Sequence, residues 1–253
     1  MTKFFRVLLT IIFTFSAGIS SAQFVDSEYS EVLRKAEAGV DTGQFNLGLM
    51  YFKGEGVDQN FAEAIKWMKL AANQGLPDAQ HILSAAYADG LGVPKNSKTA
   101  YSWAIKAATQ GHDDAQFQLG TMYLNGIGIE RSLTKAQTWY KKAADQDNLD
   151  AIFNLANIFR DQKNEKQAIN FYKKAAVLGD SDAQKQLAIQ YAISQNPLRN
   201  DVKSMMWFLI ADVNGADIGN LFDLIGEEMS NMELTQAENA AVTCYQSEYK
   251  VCH

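Results

Sequence analysis

Cysteine is almost absent from this 253-residue chain; the only two, Cys244 and Cys252, lie at its carboxyl end. No Cys-x-x-Cys pair and no His-Glu-x-x-His run occurs, and the three histidines, His81, His112 and His253, lack metal-ligand spacing. A zinc ribbon, a thioredoxin-type redox centre and a zincin active site are thereby excluded, and neither a metal nor a cofactor is expected. Proline is down to three residues and no low-complexity stretch interrupts the chain, so no internal linker is expected. Positive charge is in deficit. Lys and Arg number 23 against 29 Asp and Glu, a net charge of −6, and no basic patch offsets it. Nucleic-acid phosphates would be repelled, which removes DNA and RNA from the expected partners.

Long apolar runs are missing too, with one exception. Lys3 and Arg6 precede an apolar segment from Val7 to Ile19, followed by Ser20, Ser21 and Ala22. A charged start, a short apolar segment and small residues before the junction read as a secretory signal peptide over residues 1–22, cleaved after Ala22. A spanning helix needs about 20 apolar residues, so an uncleaved anchor is the poorer reading. No integral span is expected after cleavage, and Gln23 in place of cysteine gives no lipidation signal. Loss of Lys3 and Arg6 leaves 21 basic residues against 29 acidic ones, net −8. Two cysteines in an exported chain predict a Cys244–Cys252 disulfide rather than a redox pair. Closing so short a loop is worth about 2–3 kcal/mol on the chain-entropy model.

The chain repeats itself every 36 residues. Gly39, Gly75 and Gly111 open three units, and Asp147, Gly179 and Gly215 continue the series. Eight residues into each unit stand Leu47, Leu83, Leu119, Leu155 and Leu187; twelve in stand Tyr51, Tyr87, Tyr123, Phe159 and Tyr191. A second pattern supplies Trp67, Trp103, Trp139, Phe171 and Trp207, read as core, with alanine pairs at 71–72, 107–108, 143–144 and 175–176. Steps of three and four place each set on one helix face. A stripe this narrow must be buried against a neighbour, so the units 39–74, 75–110, 111–146, 147–178 and 179–214 form an all-α solenoid of helix-turn-helix repeats. The fourth is four residues short and has lost the Gly-x-Gly turn; the fifth keeps its length without those glycines. Residues 23–38 read as an amino-terminal capping helix standing where a second helix would stand. Residues 216–253 read as carboxyl-terminal capping helices holding the disulfide, with Thr235 opening the last of them.

These columns resemble a known family. A-x-x-x-L-G-x-x-Y, then G-x-G-V, then A-x-x-W-x-x-x-A-A-x-x-G is similar to the Sel1-like repeats, relatives of the tetratricopeptide repeat; the likeness spans residues 39–215. It implies a right-handed α-α superhelix without an active site, whose first helices line a concave face for a protein or peptide partner. The Cys-x7-Cys ending is similar to the tails of exported bacterial members, which implies a periplasmic or extracellular location. Positions six, ten and thirteen of each unit then become the candidate partner-binding residues: Phe45, Leu49 and Phe52; His81; Phe117, Thr121 and Leu124; Phe153, Asn157 and Arg160. Clustered apolar surface marks interaction sites, but packing between neighbouring first helices would give the same pattern, and both readings stay open.

Other chemistry is sparse. Gly54-x-Gly56, Gly90-x-Gly92 and Gly126-x-Gly128 have the spacing of a dinucleotide fingerprint, but they join helices and lack the preceding strand. Ser132 and Ser247 each begin a Ser-x-x-Lys, the signature of penicillin-binding enzymes. Ser132, however, aligns with Asn60, Asn96, Asn164 and Asn200 before second helices, where such residues cap. Lysines near the ends of second helices and Asp78, Asp114, Asp150 and Asp182 in first turns complement helix dipoles. The expectation is therefore a non-enzymatic exported scaffold or adaptor. The alternatives are a protein acting on cell wall or β-lactams, or a secreted effector binding host proteins.

Overall fold

A capped, periodic chain becomes a series of short helices. The computed structural model describes residues 21–193 and 198–252, and the described residues hold thirteen helices and no strand. The apolar run of the predicted signal peptide, within residues 1–20, lies outside the described residues. After α1 (Ser21–Glu37) come five helix pairs in sequence. They are α2 (Asp41–Lys53) and α3 (Phe61–Asn73), α4 (Pro77–Asp89) and α5 (Ser97–Thr109), and α6 (Asp113–Asn125) and α7 (Leu133–Ala144). Next are α8 (Leu149–Asp161) and α9 (Glu165–Val177), and α10 (Ser181–Ala192) and α11 (Asp201–Val213). The short α12 (Leu221–Gly226) and α13 (Asn231–Gln246) complete the chain.

The second helices begin where the column of Asn and Ser predicts. Side-chain oxygens of Asn60, Asn96, Ser132, Asn164 and Asn200 each accept from the backbone N–H three residues on, satisfying a donor that the first turn leaves open. The last helix corrects the sequence reading. It opens at Asn231, four residues before Thr235, on a reciprocal capping box between Ser230 and Glu233. Thr235 lies inside the first turns, its hydroxyl donating to the Asn231 carbonyl.

By its contacts the chain divides into two units, residues 1–94 and 95–253. In the first, α1 packs on α2, α2 on α3 and α3 on α4; in the second, each helix from α5 to α11 packs on the next, and α11 carries α12 and α13. The leucine column is the core: Leu47, Leu83, Leu119, Leu155 and Leu187 are at most 2% exposed, and the alanine pairs are equally buried. The tryptophan column differs from the expectation. Trp67, Trp103, Trp139 and Phe171 are half-buried, and only Trp207 is fully covered. The residue after each one points inward instead: Met68, Ala104, Tyr140, Tyr172 and Phe208 are all buried. Lys106 and Lys142 lie over the rings of Trp103 and Trp139, 4.1 and 4.2 Å from the centroids, as expected of a partly open aromatic face.

Helix α1 packs on α2 as a second helix packs on the first helix after it. The Tyr29 hydroxyl meets the Tyr51 hydroxyl at 3.3 Å, as Tyr101 meets Tyr123 at 2.8 Å two repeat lengths later. Its register therefore matches the second helices, although it starts at Ser21 rather than within the expected 23–38 boundary.

A polar ladder that the periodicity reading missed ties repeats together. Gln44, Gln80, Gln116 and Gln184 are buried, and each amide donates backwards to the last-turn carbonyl of the preceding second helix: Ala36, Ala72, Ala108 and Ala176. Their carbonyls accept in turn: Gln74 donates to Gln44, Gln146 to Gln116 and Asn214 to Gln184, at 2.8–2.9 Å. The fourth repeat breaks the ladder at both ends at once, with Ile152 in the glutamine position and Leu178 in the partner position. The Ala144 carbonyl, which accepts from the Asp147 N–H, here takes the Lys174 ammonium in place of a glutamine, and that ammonium also pairs with the Asp147 carboxylate at 2.8 Å.

This pairing predicts a non-additive result. Gln116→Ile removes its bonds to Gln146 and to the Ala108 carbonyl, although Gln146 keeps the Gly111 carbonyl and the Ala108 carbonyl keeps the Gly111 N–H. It should cost about 0.5–1.5 kcal/mol in denaturant unfolding. Adding Gln146→Leu reproduces the fourth repeat's pair, and Lys142, the counterpart of Lys174, then has that carbonyl open to it. The double variant should be more stable than the sum of the singles by about 1 kcal/mol. Strict additivity would show that the two side chains do not act as a pair.

Candidate partner-binding face on the first helices

The candidate residues occupy one face of each first helix, and the second helices decide what that face looks like. In the first unit Phe45, Leu49, Phe52 and His81 are all half-buried. Phe52 packs edge-on against Phe61 at the start of its own second helix, ring centroids 5.1 Å apart. In the second unit Phe117, Thr121, Leu124, Phe153 and Asn157 are half-buried and Arg160 is exposed. Phe117 lies 5.7 Å from the Tyr140 ring, and Phe153 the same distance from Tyr172. These contacts run within a repeat, from first to second helix, rather than between neighbouring first helices.

The two tyrosines explain why the tenth position turns polar there. Tyr140 and Tyr172 are fully buried, hydroxyls included, so those hydroxyls need partners. Thr121 meets the Tyr140 hydroxyl at 3.0 Å. Tyr172 donates to Asn157 Oδ1 at 2.6 Å and accepts from Arg160 Nη1 at 3.1 Å. Where the second helix carries Met68 or Phe208 instead, the tenth position is apolar, Leu49 or Ile189. Burial pushes both hydroxyls above the ordinary tyrosine value, with the Arg160 charge opposing this at Tyr172; both remain neutral hydrogen-bonding groups at physiological pH. The face is thus half-open: phenylalanine rings with one side covered, and amide, hydroxyl and guanidinium groups locked by tyrosines.

Gly48 and Gly120 let the helices come this close. A Cβ on Gly120 would sit 2.6 Å from the Tyr140 ring, and one on Gly48 would sit 2.9 Å from the end of Met68. The family motif's L-G pair therefore exists for packing of the second helix, not for backbone freedom.

Elsewhere the residues with possible chemistry have structural work. Ser132 Oγ accepts from the Lys135 backbone N–H, as the capping column predicts. Ser247 donates to the Cys244 carbonyl and accepts from Val251 N–H, and Lys250 pairs with Glu248. Neither Ser-x-x-Lys therefore presents its serine to its lysine as a base. His112, Asp113 and Asp114 offer atoms within 4.8 Å of one another, but His112 Nδ1 accepts from Ala115 N–H as a helix cap. Cys244 and Cys252 are bonded to each other and buried.

The sequence matches the Sel1 repeat five times, over residues 42–76, 77–112, 113–148, 149–180 and 181–211. Among solved structures it is similar to a protective antigen present in uropathogenic Escherichia coli strains displaying an SLR fold, with 29% identity and a TM-score of 0.79. That match covers 89% of this chain and 50% of the antigen, so the chain spans about half the length of that relative. A Sel1 repeat protein from Oxalobacter formigenes is 26% identical at a TM-score of 0.74, covering 87% of this chain and 94% of its own. No curated protein matches the sequence. With five consecutive matches over most of its length and the paired helices those repeats encode, the chain belongs to the Sel1 repeat family.

Proposed function

We propose that this chain is an exported, non-enzymatic scaffold that binds a protein or peptide segment along its first-helix faces. Sel1 repeats support protein binding in general, and the half-open row of Phe117, Thr121, Leu124, Phe153, Asn157 and Arg160 carries the reading here. It offers ring faces for apolar side chains beside an amide and a guanidinium suited to peptide carbonyls and carboxylates. The tyrosines fix those polar groups in advance, which lowers the ordering cost of binding. No helix among the described residues is long and apolar enough to cross a membrane. The Cys244–Cys252 disulfide supports an oxidising compartment, and the likeness to a protective antigen favours a periplasmic, surface or secreted location.

The test separates face from core. Phe117 and Phe153 brace tyrosines, so Leu124→Ser and Arg160→Glu are the cleaner probes. Pull-down from the native envelope should identify a partner whose capture falls about ten-fold or more in each variant, while melting temperatures stay within about 4 °C of wild type. Capture unchanged in both, or lost only together with the fold, overturns this site.

A further inference from the structure

The glutamine ladder runs into the disulfide. Asn214, the C-cap of α11, stands where Gln74 and Gln146 stand in the first and third repeats. Those two amides each use both hydrogens. One goes to Gln44 or Gln116 and the other to a glycine carbonyl, that of Gly39 or Gly111. Asparagine is a methylene shorter. Its Nδ2 keeps the bond to Gln184 Oε1 at 2.8 Å, and its second hydrogen goes to the Tyr249 hydroxyl, also at 2.8 Å. Gln184, fully buried, donates in turn to the Ala176 carbonyl in the last turn of α9. A tail residue thus completes a chain of hydrogen bonds that passes through the fifth repeat into the fourth.

Tyr249 reaches Asn214 from a backbone that its residue type disfavours. Glu248 and Tyr249 are consecutive left-handed residues, φ 51° and 64°, and neither is glycine. Such a pair persists only where its surroundings hold it. Here Cys244, near the end of α13, is bonded to Cys252 across the turn. Within that loop Ser247 Oγ donates to the Cys244 carbonyl and accepts from the Val251 N–H, while the Tyr249 N–H donates to the same carbonyl. The bridge is the one covalent closure of the turn, and both its cysteines are buried.

We propose that the Cys244–Cys252 disulfide is a redox-sensitive latch on the fifth repeat. Closed, it holds the left-handed turn that presents Tyr249 to Asn214. Opened by a dithiol, it lets the turn relax and withdraws the hydroxyl from the ladder. In that exchange a thiolate of the reductant attacks one sulfur of the bridge, forming a mixed disulfide and expelling the other cysteine as thiolate. The reductant's second thiol then displaces the remaining cysteine, so the reductant leaves as a disulfide. Two electrons and two protons have passed to Cys244 and Cys252, which end as thiols. Because the cysteines are buried, attack requires the turn to open first, and the disfavoured pair at 248 and 249 is the segment whose opening uncovers them. The bridge acts here on the order of the array and carries electrons to no substrate.

Hydrogen exchange on the full mature chain tests the coupling. Reduction with dithiothreitol, or Cys244→Ser with Cys252→Ser, should speed exchange in α10 and the end of α11 about two- to ten-fold, the loss of one hydrogen bond, and leave α6 and α8 unchanged. Tyr249→Phe should give the same rise with the bridge intact. In that variant reduction should add nothing further in α10 and α11, since the hydroxyl is already gone. A bridge that only staples the tail gives a different pattern. Reduction would then free residues 244–252 alone, and Tyr249→Phe would leave α10 as it was. Either result overturns the proposal, as does an additive response to reduction and Tyr249→Phe. Glu248→Gly, which relieves one left-handed residue, should slow the appearance of thiols under fixed dithiothreitol about two- to five-fold; thiols appearing at the wild-type rate or faster overturn the part given to the turn.

Discussion

Trp207→Ala should lower the free energy of unfolding by about 3–5 kcal/mol, whereas Trp103→Ala should lower it by only about 1–2 kcal/mol. The two occupy the same column of the repeat, so sequence alone gives them equal weight. Trp207 is 1% exposed and belongs to an all-apolar stretch in which Met205, Met206 and Phe208 are buried beside it. Removing its ring leaves a cavity that close-packed neighbours cannot fill. Trp103 is half-open, with the Lys106 ammonium 4.1 Å from the ring, and its loss removes area already shared with water. Because each repeat is stabilised by its neighbours, the Trp207 defect should also loosen α10 and α13 in hydrogen exchange. Equal costs in denaturant unfolding would mean that the exposed edge of Trp103 contributes as much as a buried one.

Gly128→Ala should cost about 3–5 kcal/mol, against about 1–2 kcal/mol for Gly126→Ala in the same turn. Both glycines are left-handed, with φ of 72° and 75°, so both substitutions carry the same conformational strain. The difference is what the new methyl meets. At Gly126 the nearest atom is 3.5 Å away, an ordinary contact; at Gly128 it is the backbone oxygen of Ser97 at 2.0 Å. No flexible side chain can yield there, so the turn must lift off the start of α5. Gly92 stands in the same relation to the Phe61 carbonyl in the first unit, at 2.4 Å. Matching costs at 126 and 128 would remove the close approach from the reasons for the Gly-x-Gly turn.

The repeat, the leucine core, the alanine pairs and the second-helix caps were legible because each is one residue type at one spacing. The buried position after each tryptophan was not, because its occupants differ: Met68, Ala104, Tyr140, Tyr172 and Phe208 share burial without sharing chemistry. The conspicuous tryptophans drew the core assignment one residue too early. The glutamine ladder was overlooked for another reason. A buried amide is satisfied only by carbonyls brought up from the preceding repeat, and apolar periodicity carries no sign of that. The start of α13 was hidden by a threonine, although Ser230 and Glu233 spell the stronger signal three residues apart. Counting put the candidate residues on one face of the first helices, but what that face rests on was invisible. Thr121, Asn157 and Arg160 acquire their meaning only from the tyrosine hydroxyls beneath them.

The ladder also bears on how such an array can change length. A last-turn carbonyl of α1, α3, α5, α7 and α9 accepts from the repeat that follows: from Gln44, Gln80, Gln116 and Gln184, or from Lys174 where the glutamine is lost. The donor travels with the downstream segment and the acceptor is plain backbone, identical whichever repeat supplies it. Excision or duplication of a whole repeat therefore joins an acceptor to a donor whatever the two copies' side chains, and recombination in phase conserves the hydrogen bonding. A break out of phase separates donor from acceptor and deprives a buried glutamine amide of its carbonyl. Genetic drift in repeat number is thus channelled into steps of one unit, with the amide and ammonium donors acting as the phase marker.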